Sequence, residues 1–526
     1  MEKSIDYKRY FQGKYITKQG FGILGRGIGV VKFLLENGAT ILVTDIKLEL
    51  EFENNIRELE NFMLDKNIAK EKVSYVFGQH RTEDFEKIKI KNHIYISGCD
   101  YVVQASGVPK DNIYLAHAKA NGIEVYQESS LFVKIVNEYN ESIEKSEEKQ
   151  NKENKIKIIG VTGTRGKTTT TFLIKKIIEN YLETEKSEYK NISEKGESEN
   201  MNRKVYFGGN IQNVATLDNI KYLKGGDIIV MELDSWILQG FKDINYSPDV
   251  AVFTTFMADH MNYYKGDMAD YFADKAAIFE YQKAGDIFVT TDIIKKDIEK
   301  YKNKYEKIEN VHSFFLNKQN IEEYATRYKS ILPGEHNKIN TALAVKACEE
   351  FVVRDSGMSS SQLHNIIQNS LNYFTGVAGR LEMIREIRGV KYYNDTTSTT
   401  PDSLMVALES FKNKNIILIC GGRDKELDVS VAADKIMDFK NKNIVKDIIL
   451  LSDETTTGTE KLKSIFENNN FIDFVEAQNI SKAVLLAKEK ANEEGIVMFS
   501  PGFASFGMFK NEYDRGDKYN SIVNNL

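Results

Sequence analysis

The chain has 526 residues, which at about 100 to 200 residues per domain allows two to four domains and excludes a single small one. Its hydrophobic and charged fractions, 41% and 28%, are those of folded globular proteins rather than of disordered ones. A net charge of −6 excludes a global positive field, so neither nucleic acid nor a membrane is expected as a partner.

The first twenty residues are polar, and no apolar run approaches the ~18 residues that a membrane span needs. We therefore expect a cytoplasmic protein without a secretion signal or an anchor. Cys99, Cys348 and Cys420 lie far apart in or beside apolar segments, without the spacing of a zinc site or a disulfide framework. They are predicted to be reduced residues of the core.

Short apolar runs alternate with a helix-like segment in the first part of the chain, as in the βαβ units of a parallel sheet. Residues 41–43 and 101–103 are predicted strands, and residues 30–35 lie in a predicted helix. The alternation resumes twice, which predicts three consecutive α/β domains. The later predicted strands are residues 155–161, 227–233, 250–254, 416–420, 447–451 and 496–500.

A glycine-rich sequence, GILGRGIG, precedes the first predicted helix, and Asp45 ends the next strand. This spacing is typical of a dinucleotide-binding turn, although the glycine pattern alone has low specificity and would suggest NAD. We expect residues 20–25 (GFGILG) to lie in the strand, and therefore assign the turn to Gly22 and Gly27. Simple packing of a strand against a helix is the structural alternative.

Three stretches of the chain suggest domain limits. Residues 137–155 hold almost no apolar side chain, so they cannot offset the entropy of ordering and are predicted to be a solvated linker. Residues 183–204 are polar between apolar segments and are predicted to be a surface insertion. A turn-prone LPGE within residues 328–335 suggests a further boundary. The predicted domains are 1–137, 156–332 and 333–526, with 138–155 as the linker.

The strongest local signal is KIKIIGVTGTRGKTTTTFLIKKII, an apolar strand, a glycine-rich turn and an apolar-periodic helix. Gly163 and Gly166 let backbone N–H groups turn inward, Lys167 can reach terminal phosphates, and Thr168 can hold Mg²⁺. The alternative is a glycine-rich connection with a surface lysine, but the flanking strand and helix favour a phosphate-binding loop. Gly160 and Gly166 are separated by five residues instead of the common four, so the loop is a variant of the pattern.

Charged residues further along are candidates for the rest of a phosphoryl-transfer site, because the loop alone does not identify a reaction. Glu232 lies at the end of the apolar run DIIVMEL, where a second strand commonly supplies an acid to the nucleotide's metal. In DHMNYYKGDMADYFADKAAIF, His260 leaves a strand and Lys275 lies on a helix that Asp267 or Asp270 could cap. The structural alternatives are an exposed strand-end acid and ordinary packing of the histidine and the lysine.

Nine blocks of sequence then identify a family. They are GVTGTRGKT, GGNIQNVA, MELDSW, DHMNYY, GEHNKIN, GRLE, NDTTSTTP, GGRDK and SPGFASFGMF. Together they resemble the ATP-dependent Mur ligases, in particular the branch that adds D-glutamate, and the resemblance extends from about Gly22 to Gly516. It implies an α/β protein with a Rossmann-like N-terminal domain for a UDP moiety, a central P-loop ATPase domain and a Rossmann-like C-terminal domain for an amino acid.

The resemblance also implies a reaction in cytoplasmic peptidoglycan precursor synthesis, carried out by a monomer. ATP would phosphorylate the alanyl carboxylate of UDP-N-acetylmuramoyl-L-alanine, and the amine of glutamate would then displace phosphate from the acyl phosphate. Lys167 and Arg380 would neutralise the negative charge that accumulates, with His260 and Lys275 as the other catalytic residues.

Two Mg²⁺ ions are implied by the same resemblance. Thr168 and Glu232 would hold the ion bound to the nucleotide, while His260 and Lys275 would hold the second. Lys275 would act as its CO₂-derived carbamate, because a lysine cation repels Mg²⁺ whereas carbamate oxygens suit a hard metal.

The remaining implied roles concern binding, with Asx capping or turn chemistry as the structural alternative for the Asn and Asp residues. The implied ATP-binding residues are Gly163, Thr164, Gly166, Lys167, Thr168, Thr169, Asn337, Asn340, Arg380 and Asp395. The implied substrate-binding residues are Gly22, Gly27 and Asp45 for the UDP moiety, Asn210 for the muramoyl moiety, and Thr399, Lys425 and Ser505 for the amino acid.

Four positions depart from the pattern of the D-glutamate-adding enzymes. Thr397 replaces a phosphate-facing lysine, Gly379 a histidine, Asp234 a serine, and Glu512 a phenylalanine near the amino-acid pocket. A glutamate-like acceptor is expected, but a buried Glu512 would alter the pocket's charge, and NDTTSTTP also resembles ligases that take L-glutamate. The open alternatives are L-glutamate or another acceptor, a polyglutamate-type ligase, and a nucleotide-binding protein without ligase activity.

Overall fold

The computed structural model describes residues 5–22, 26–91, 94–109, 111–145, 155–192, 203–212, 214–304, 311–412, 414–491 and 494–526. The chain divides into two compact units. The first contains Met1–Tyr324 and Asn340–Ser370, and the second contains Ala325–Ile339 and Leu371–Leu526. In the described part of the chain, no helix is both long and apolar enough to cross a membrane.

The first unit begins with a parallel sheet and a separate antiparallel hairpin. The strands are β1 (Tyr15–Gln19), β2 (Thr40–Asp45), β3 (Val73–Phe77), β4 (Lys89–Lys91), β5 (Ile94–Ser97), β6 (Tyr101–Gln104) and β7 (Glu124–Gln127). The helices are α1 (Arg26–Glu36), α2 (Glu53–Asp65), α3 (Ile113–Ala120) and α4 (Glu128–Glu144). The sheet order is β3-β2-β1-β6-β7, and β4 pairs with β5. β2, β6 and α1 confirm the predicted elements of this region.

The turn after β1 differs from the expectation. β1 ends at Gln19, so Gly20 and Gly22 follow the strand with positive φ of 80° and 71°, and the expectation that they continue it is wrong. Residues 23–25 lie outside the described residues. Gly27 is not in the turn but in the first turn of α1, where a Cβ would lie 1.7 Å from the carbonyl oxygen of Phe21. Its role is therefore close packing of the helix on the turn.

Helix α4 extends into the predicted linker. Residues 138–144 are helical, and Tyr139 and Ile143 are buried in the core of the unit. Their spacing of four residues places them on one face of the helix, so two buried apolar side chains attach this otherwise polar stretch to the core. Residues 146–154 of the predicted linker lie outside the described residues.

The rest of the first unit is built on a six-stranded parallel sheet. Its strands are β8 (Lys157–Thr162), β9 (Val205–Gly209), β10 (Ile228–Glu232), β11 (Val250–Phe253), β12 (Ile287–Thr291) and β13 (His312–Leu316). The helices are α5 (Lys167–Ile192), α6 (Ser235–Asp243), α7 (Met268–Ala276) and α8 (Asp292–Tyr301). Three further helices have residues in both units: α9 (Lys318–Arg327), α10 (Glu335–Ser356) and α11 (Ser360–Asn372). The order β13-β12-β11-β8-β10-β9 places β8 between β11 and β10, so the segments after these three strands meet at one edge. β8, β10 and β11 confirm three predicted strands.

Part of the predicted surface insertion is a continuation of α5. Residues 183–192 are helical, whereas residues 193–202 lie outside the described residues. The extension is held from its base: the Tyr181 hydroxyl donates to Asp355 Oδ2 at 2.9 Å, and Arg203 Nη1 lies 2.7 Å from the same oxygen. This ion pair joins Arg203 to the part of α10 that belongs to the first unit.

The second unit contains a mixed six-stranded sheet. Its strands are β14 (Glu382–Ile387), β15 (Val390–Asn394), β16 (Ile416–Cys420), β17 (Val445–Leu451), β18 (Val475–Ala477) and β19 (Ile496–Phe499). Its helices are α12 (Pro401–Ser410), α13 (Ser430–Asn441), α14 (Thr457–Asn468), α15 (Ile480–Lys490) and α16 (Glu512–Asn524). The order is β14-β15-β19-β16-β17-β18, with β14 antiparallel to β15 and the other pairs parallel. β16, β17 and β19 confirm the last three predicted strands.

The division into units differs from the predicted domain limits in three respects. Residues 1–137 and 156–324 belong to one unit, and residues 325–332, assigned from the sequence to the central domain, group with the second unit. Residues 340–370, assigned from the sequence to the C-terminal domain, group with the first unit. Within that unit the buried apolar residues of both sheets form one continuous cluster. Cys99, Cys348 and Cys420 are buried and free, as predicted.

Candidate active site

The segment between β8 and α5 is a tight loop that ends at Lys167. A Cβ on Gly163 would lie 2.0 Å from Thr254 Oγ1, and one on Gly166 would lie 2.3 Å from Asn340 Oδ1. Both glycines have positive φ, 144° and 85°. The loop backbone therefore packs directly against its neighbours and leads into the N-terminus of α5, the end of a helix that favours an anion.

Two threonines that follow β11 fix this loop. The Thr254 and Thr255 hydroxyls both donate to the carbonyl oxygen of Arg165, at 2.5 and 3.0 Å. Thr255 Oγ1 also accepts from the Arg165 N–H at 2.8 Å, and the Thr164 N–H donates to the Thr255 carbonyl at 2.7 Å. Because these bonds go to the loop backbone, the sheet edge holds the loop in shape without a ligand.

Two lysines converge on the loop. Lys167 Nζ donates to the carbonyls of Gly163 and Thr164 at 3.0 and 3.2 Å, and Lys275 Nζ, from α7, donates to the Gly163 carbonyl at 3.1 Å. Lys275 is only 1% exposed. Burial, and next the positive charge of Lys167, lower the pKa of Lys275 to about 7. A large share of Lys275 is therefore a neutral amine near pH 7.

Helix α7, which carries Lys275, begins as the sequence predicts. Asp267 is its N-cap, and one carboxylate oxygen accepts from the backbone N–H groups of Ala269 and Asp270 at 2.7 and 3.2 Å. This cap fixes the start of the helix and thereby the turn on which Lys275 lies.

His260 lies in the loop between β11 and α7, with a left-handed φ of 54°. Its ring meets the edge of Trp236, on α6, at a centroid distance of 4.6 Å and an interplanar angle of 81°. Burial lowers the pKa of His260, and the charges of Lys275 and Lys167 lower it further, while Asp259 opposes them. The imidazole is thus neutral at pH 7 and can act as an acceptor or a ligand.

Glu232 and Asn210 lie at adjacent strand ends. Glu232 is buried as the last residue of β10, and its carbonyl accepts from the Asn210 N–H at 2.7 Å, just beyond β9. Asp234 caps α6 by accepting from the Ile237 N–H at 2.8 Å, and its charge raises the pKa values of both Lys275 and His260. Among the residues that the structure describes, no group of three His, Cys, Asp or Glu side chains could hold a metal.

The turn after β1 brings Asp45 against the glycines. Asp45 Oδ2 accepts from the Phe21 N–H at 2.9 Å, and Oδ1 accepts from the Lys47 N–H at 3.1 Å. The carboxylate therefore shapes the turn that the sequence assigns to the UDP moiety. Contact of Asp45 with a ligand stays a prediction.

The expected amino-acid site lies in the second unit, where three segments follow neighbouring strands. Thr399 follows β15, Ser505 follows β19 and Lys425 follows β16, in the strand order β15-β19-β16. Lys425 Nζ donates to Thr399 Oγ1 at 3.0 Å, and Ser505 is buried. Burial lowers the pKa of Lys425, and the charge of Glu512 opposes this. Glu512 itself is partly exposed, so the buried acid considered in the sequence analysis is not found.

Asp395, an expected ATP-binding residue, is hydrogen-bonded to other groups of the protein. Its carboxylate accepts from the Leu381 N–H at 3.1 Å and from the Ser500 hydroxyl at 2.8 Å. Burial raises the pKa of Asp395 to about 7, and the charge of Arg380 opposes this. Arg380 is exposed, while Asn337 is buried and donates to the Pro333 carbonyl at 2.7 Å.

Two of the departures from the family pattern bind each other. The N–H and the hydroxyl of Thr397 donate to the Gly379 carbonyl at 3.0 and 2.9 Å. The threonine thus closes the turn that precedes Arg380 and presents no cation there.

Comparisons with known proteins now identify the family. A model described as the Mur ligase middle domain matches residues 161–348, and one described as the glutamate ligase domain of Mur ligases matches residues 379–503. The UDP-N-acetylmuramoylalanine--D-glutamate ligases of Borreliella afzelii (strain PKo) and Borreliella burgdorferi (strain ZS7) are 31% and 30% identical, each over 96% of this chain and 97% of the relative. The chain belongs to the Mur ligase family.

A solved structure, MurF ligase from Thermotoga maritima in complex with ADP, aligns over 81% of this chain and 95% of its own, with 16% identity and a TM-score of 0.48. Family membership confirms the ligase class predicted from the sequence, and the parallel sheets confirm the α/β fold.

Within this Mur ligase, the described structure brings one group of predicted residues together in the first unit. They are Gly163, Thr164, Gly166, Lys167, Lys275, His260 and Asn340, with Thr168 and Thr169 in the first turn of α5. The predicted residues Asn337, Arg380, Asp395, Thr399, Lys425 and Ser505 belong to the second unit.

Sequence reasoning missed Trp236, Thr254 and Thr255. The threonine pair follows directly on a predicted strand, and hydroxyl side chains at the carboxyl end of a strand beside a phosphate loop are a usable signal. Trp236 stands within the MELDSW block, but nothing in its sequence position indicates that it meets His260. That contact depends on how α6 and the β11 loop pack.

Proposed function

We propose that this Mur ligase uses ATP to join glutamate to UDP-N-acetylmuramoyl-L-alanine, acting in the cytoplasm as a monomer. The observation that carries the proposal is the convergence of Lys167 and Lys275 on the Gly163 carbonyl, beside His260, in a phosphate-type loop. The curated relatives, named as ligases of UDP-N-acetylmuramoylalanine and D-glutamate over nearly the whole chain, support the choice of substrates.

The first step would be phosphorylation of the alanyl carboxylate. A carboxylate oxygen attacks the γ-phosphorus, the bond to the β-phosphate oxygen breaks, and ADP leaves. Lys167, on the first turn of α5, would exchange its bond to the Gly163 carbonyl for the phosphate oxygens, while the α5 N-terminus faces the same charge.

The second step would form the amide. The neutral amine of glutamate attacks the acyl carbon, and inorganic phosphate leaves with the electron pair as the amine loses a proton. An acyl phosphate has a far better leaving group than a carboxylate, so two accessible steps replace a difficult one. Lys425, joined to Thr399, would hold an amino-acid carboxylate, with Ser505 on the neighbouring segment.

Magnesium fits the chemistry of Thr168 and Glu232, which would present a hydroxyl and a carboxylate oxygen to a hard cation. Bound there, it would neutralise phosphate charge. Thr168 and Glu232 would be its protein ligands, and phosphate oxygens and water are further ligands of the kind that Mg²⁺ accepts. His260 would serve the second ion.

Lys275 fits a metal only after modification, because its ammonium form is a cation. A buried amine with a pKa of about 7 is nucleophilic and fits addition of CO₂. The carbamate would also replace the repulsion between Lys275 and Lys167 by attraction. Labelled bicarbonate should give a carbamate signal in the wild type that is absent from Lys275→Met; an equal signal in both would refute the assignment.

The proposal is tested by a coupled phosphate-release assay with ATP, UDP-N-acetylmuramoyl-L-alanine and each glutamate enantiomer. Release should require both the UDP-sugar substrate and one enantiomer, which also settles whether the acceptor is D- or L-glutamate. If ATP turns over equally without either substrate, the protein is not this ligase.

A second candidate, a nucleotide-binding protein without ligase activity, is favoured by one observation: Thr397 binds the Gly379 carbonyl where a cation is expected. Replacing Lys167 by Met separates the two. A ligase should lose several orders of magnitude in kcat, whereas a binding protein should lose only nucleotide affinity. Lys296→Met, an exposed lysine on α8, is the matched control.

A further inference from the structure

Arg515 on α16 is a completely buried arginine, 0% exposed. Its Nε donates to Thr396 Oγ1 at 3.1 Å, its Nη2 to the Thr396 carbonyl at 2.7 Å, and its Nη1 to the Phe503 carbonyl at 3.0 Å. The planar guanidinium thus donates hydrogen bonds from all three of its nitrogens and binds two separate segments of the chain.

These two stretches carry residues of the expected amino-acid site. Thr396 lies between β15 and α12, in the segment that carries Thr399, and Phe503 lies between β19 and α16, in the segment that carries Ser505. Because β15 and β19 are adjacent in the sheet, Arg515 bridges the two segments just beyond their strands.

Further bonds extend this connection to the third segment. Arg423 and Ala504 exchange backbone hydrogen bonds of 2.9 and 3.1 Å, and Arg423 lies two residues before Lys425. The Gly502 N–H donates to the Ser398 carbonyl at 2.9 Å. All three segments of the site are therefore joined around the residues that Arg515 holds.

Close packing restricts Thr396, the residue whose hydroxyl and carbonyl oxygens accept from Arg515. A Cβ on Gly516 would lie 2.6 Å from Thr396 Cγ2, and a Cβ on Gly379 would lie 2.7 Å from the same methyl group. The Thr396 hydroxyl also donates to the Glu512 carbonyl at 2.7 Å. Thr396 is thus clamped between α16 and the turn before Arg380.

Arg515 also contributes a positive charge to this region. Burial lowers the pKa of Arg515 to about 10, so the guanidinium stays protonated near pH 7. Its positive charge also contributes to lowering the pKa of Lys425, although burial is the larger cause. An acceptor that brings two carboxylates would relieve this repulsion.

We propose that Arg515 is a positioning residue for the acceptor amino acid. It holds the segments of Thr399 and Ser505 in a fixed relation, and it places a buried positive charge behind the point where a glutamate-like acid would bind. This inference rests on the proposed function, because it assigns Arg515 a role at the amino-acid site of that function.

The test compares Arg515→Lys and Arg515→Met in steady-state kinetics with glutamate, ATP and the UDP-sugar substrate varied in turn. Arg515→Met should raise the KM for glutamate by about tenfold or more, with the KM for ATP unchanged and a smaller change in kcat. Arg515→Lys keeps the charge and should recover part of the loss. Equal KM increases for all three substrates, or unchanged KM values, would overturn the proposal.

Two further variants distinguish a specific effect of the Arg515 contacts from a general loss of structure in the second unit. Thr396→Val removes the oxygen that accepts from Nε while keeping the charge of Arg515, so it should raise the KM for glutamate and leave the KM for ATP unchanged. This variant tests the same contact if Arg515→Met does not fold. Arg385→Met removes an exposed arginine that donates to the Asn524 carbonyl in the same unit and should change no KM. A wild type inactive with every amino acid would refute the proposed function itself; an active wild type with indifferent variants would refute only this inference.

Discussion

Lys167 and Lys275 donate to the same carbonyl oxygen, that of Gly163, at 3.0 and 3.1 Å. Two amines thus share one neutral acceptor inside a tight loop, and their mutual repulsion contributes to the lowered pKa of Lys275. The arrangement is unfavourable for two cations and becomes favourable when an anion enters. Under the proposed function, that anion is a phosphate group of ATP.

Replacing Lys275 by Met should stabilise the first unit in bicarbonate-free buffer at neutral pH and raise its Tm by a few degrees. Lys275 has a folded-state pKa of about 7, below the 10.5 of an ordinary lysine, so the unfolded chain binds more protons between these values. Wild-type stability should therefore rise with pH across that window, and this slope should be shallower in Lys275→Met. Urea unfolding at several pH values measures the free energy of unfolding and its slope against pH. A slope unchanged by the substitution would contradict the burial of a titrating lysine.

Replacing Gly166 by Ala should weaken binding of an ATP analogue by about tenfold or more, because the new Cβ meets Asn340 Oδ1 at 2.3 Å. The left-handed φ of 85° adds strain of about 1–2 kcal/mol. Gly285→Ala is the matched control, since it has φ of 93° but nothing within 4 Å of the new Cβ. Calorimetric titration should show normal nucleotide affinity for this control; equal losses would mean that strain, and not the contact with Asn340, is responsible.

Trp236 is the only tryptophan of the chain, so its fluorescence reports on His260, whose ring lies 4.6 Å away. A protonated imidazole quenches indole emission, and burial lowers the pKa of His260. Fluorescence should thus fall as the pH is lowered, with a midpoint below 6.5, the usual value of histidine. His260→Gln should abolish the transition. A transition that persists in this variant would assign the quenching to another group.

Replacing Gly379 by Ala should destabilise the second unit, because the new Cβ would lie 2.7 Å from Thr396 Cγ2. Thr396→Ser removes that methyl group and keeps the hydroxyl that binds Arg515. In a double-mutant cycle the cost of Gly379→Ala should be smaller in the Thr396→Ser background, with a coupling of about 1 kcal/mol. If the changes in the free energy of unfolding caused by the two substitutions are additive, residues 379 and 396 are not in steric contact.

The elements of the fold were largely predictable because strands buried on both faces read as continuous apolar runs. The run at residues 416–420 coincides with β16, and the runs near residues 228 and 496 match β10 and β19 within a few residues. The predicted linker and insertion were less accurate, since α4 and α5 continue into polar sequence that a few buried side chains stabilise.

The candidate site was also only partly predictable from the sequence. Spacing and residue type sufficed to predict the glycine-rich turn before α5, with Lys167 at the start of that helix, and the Asp267 cap of α7, because each depends on residues close together in sequence. The contact between Trp236 and His260 and the bonds of Thr254 and Thr255 to the loop join residues from different elements. Composition and period carry no record of such contacts.

By itself the sequence predicted several of the strands and helices, the glycine-rich loop with its lysine, and the ligase family that the blocks resemble. Only the tertiary structure decided that Lys275 is buried against Gly163, that Thr397 binds Gly379, and that Arg515 joins two segments of the expected amino-acid site. The reason is that local pattern encodes burial and chain direction, whereas the pKa of a lysine or the partners of an arginine depend on distances between residues more than 100 positions apart.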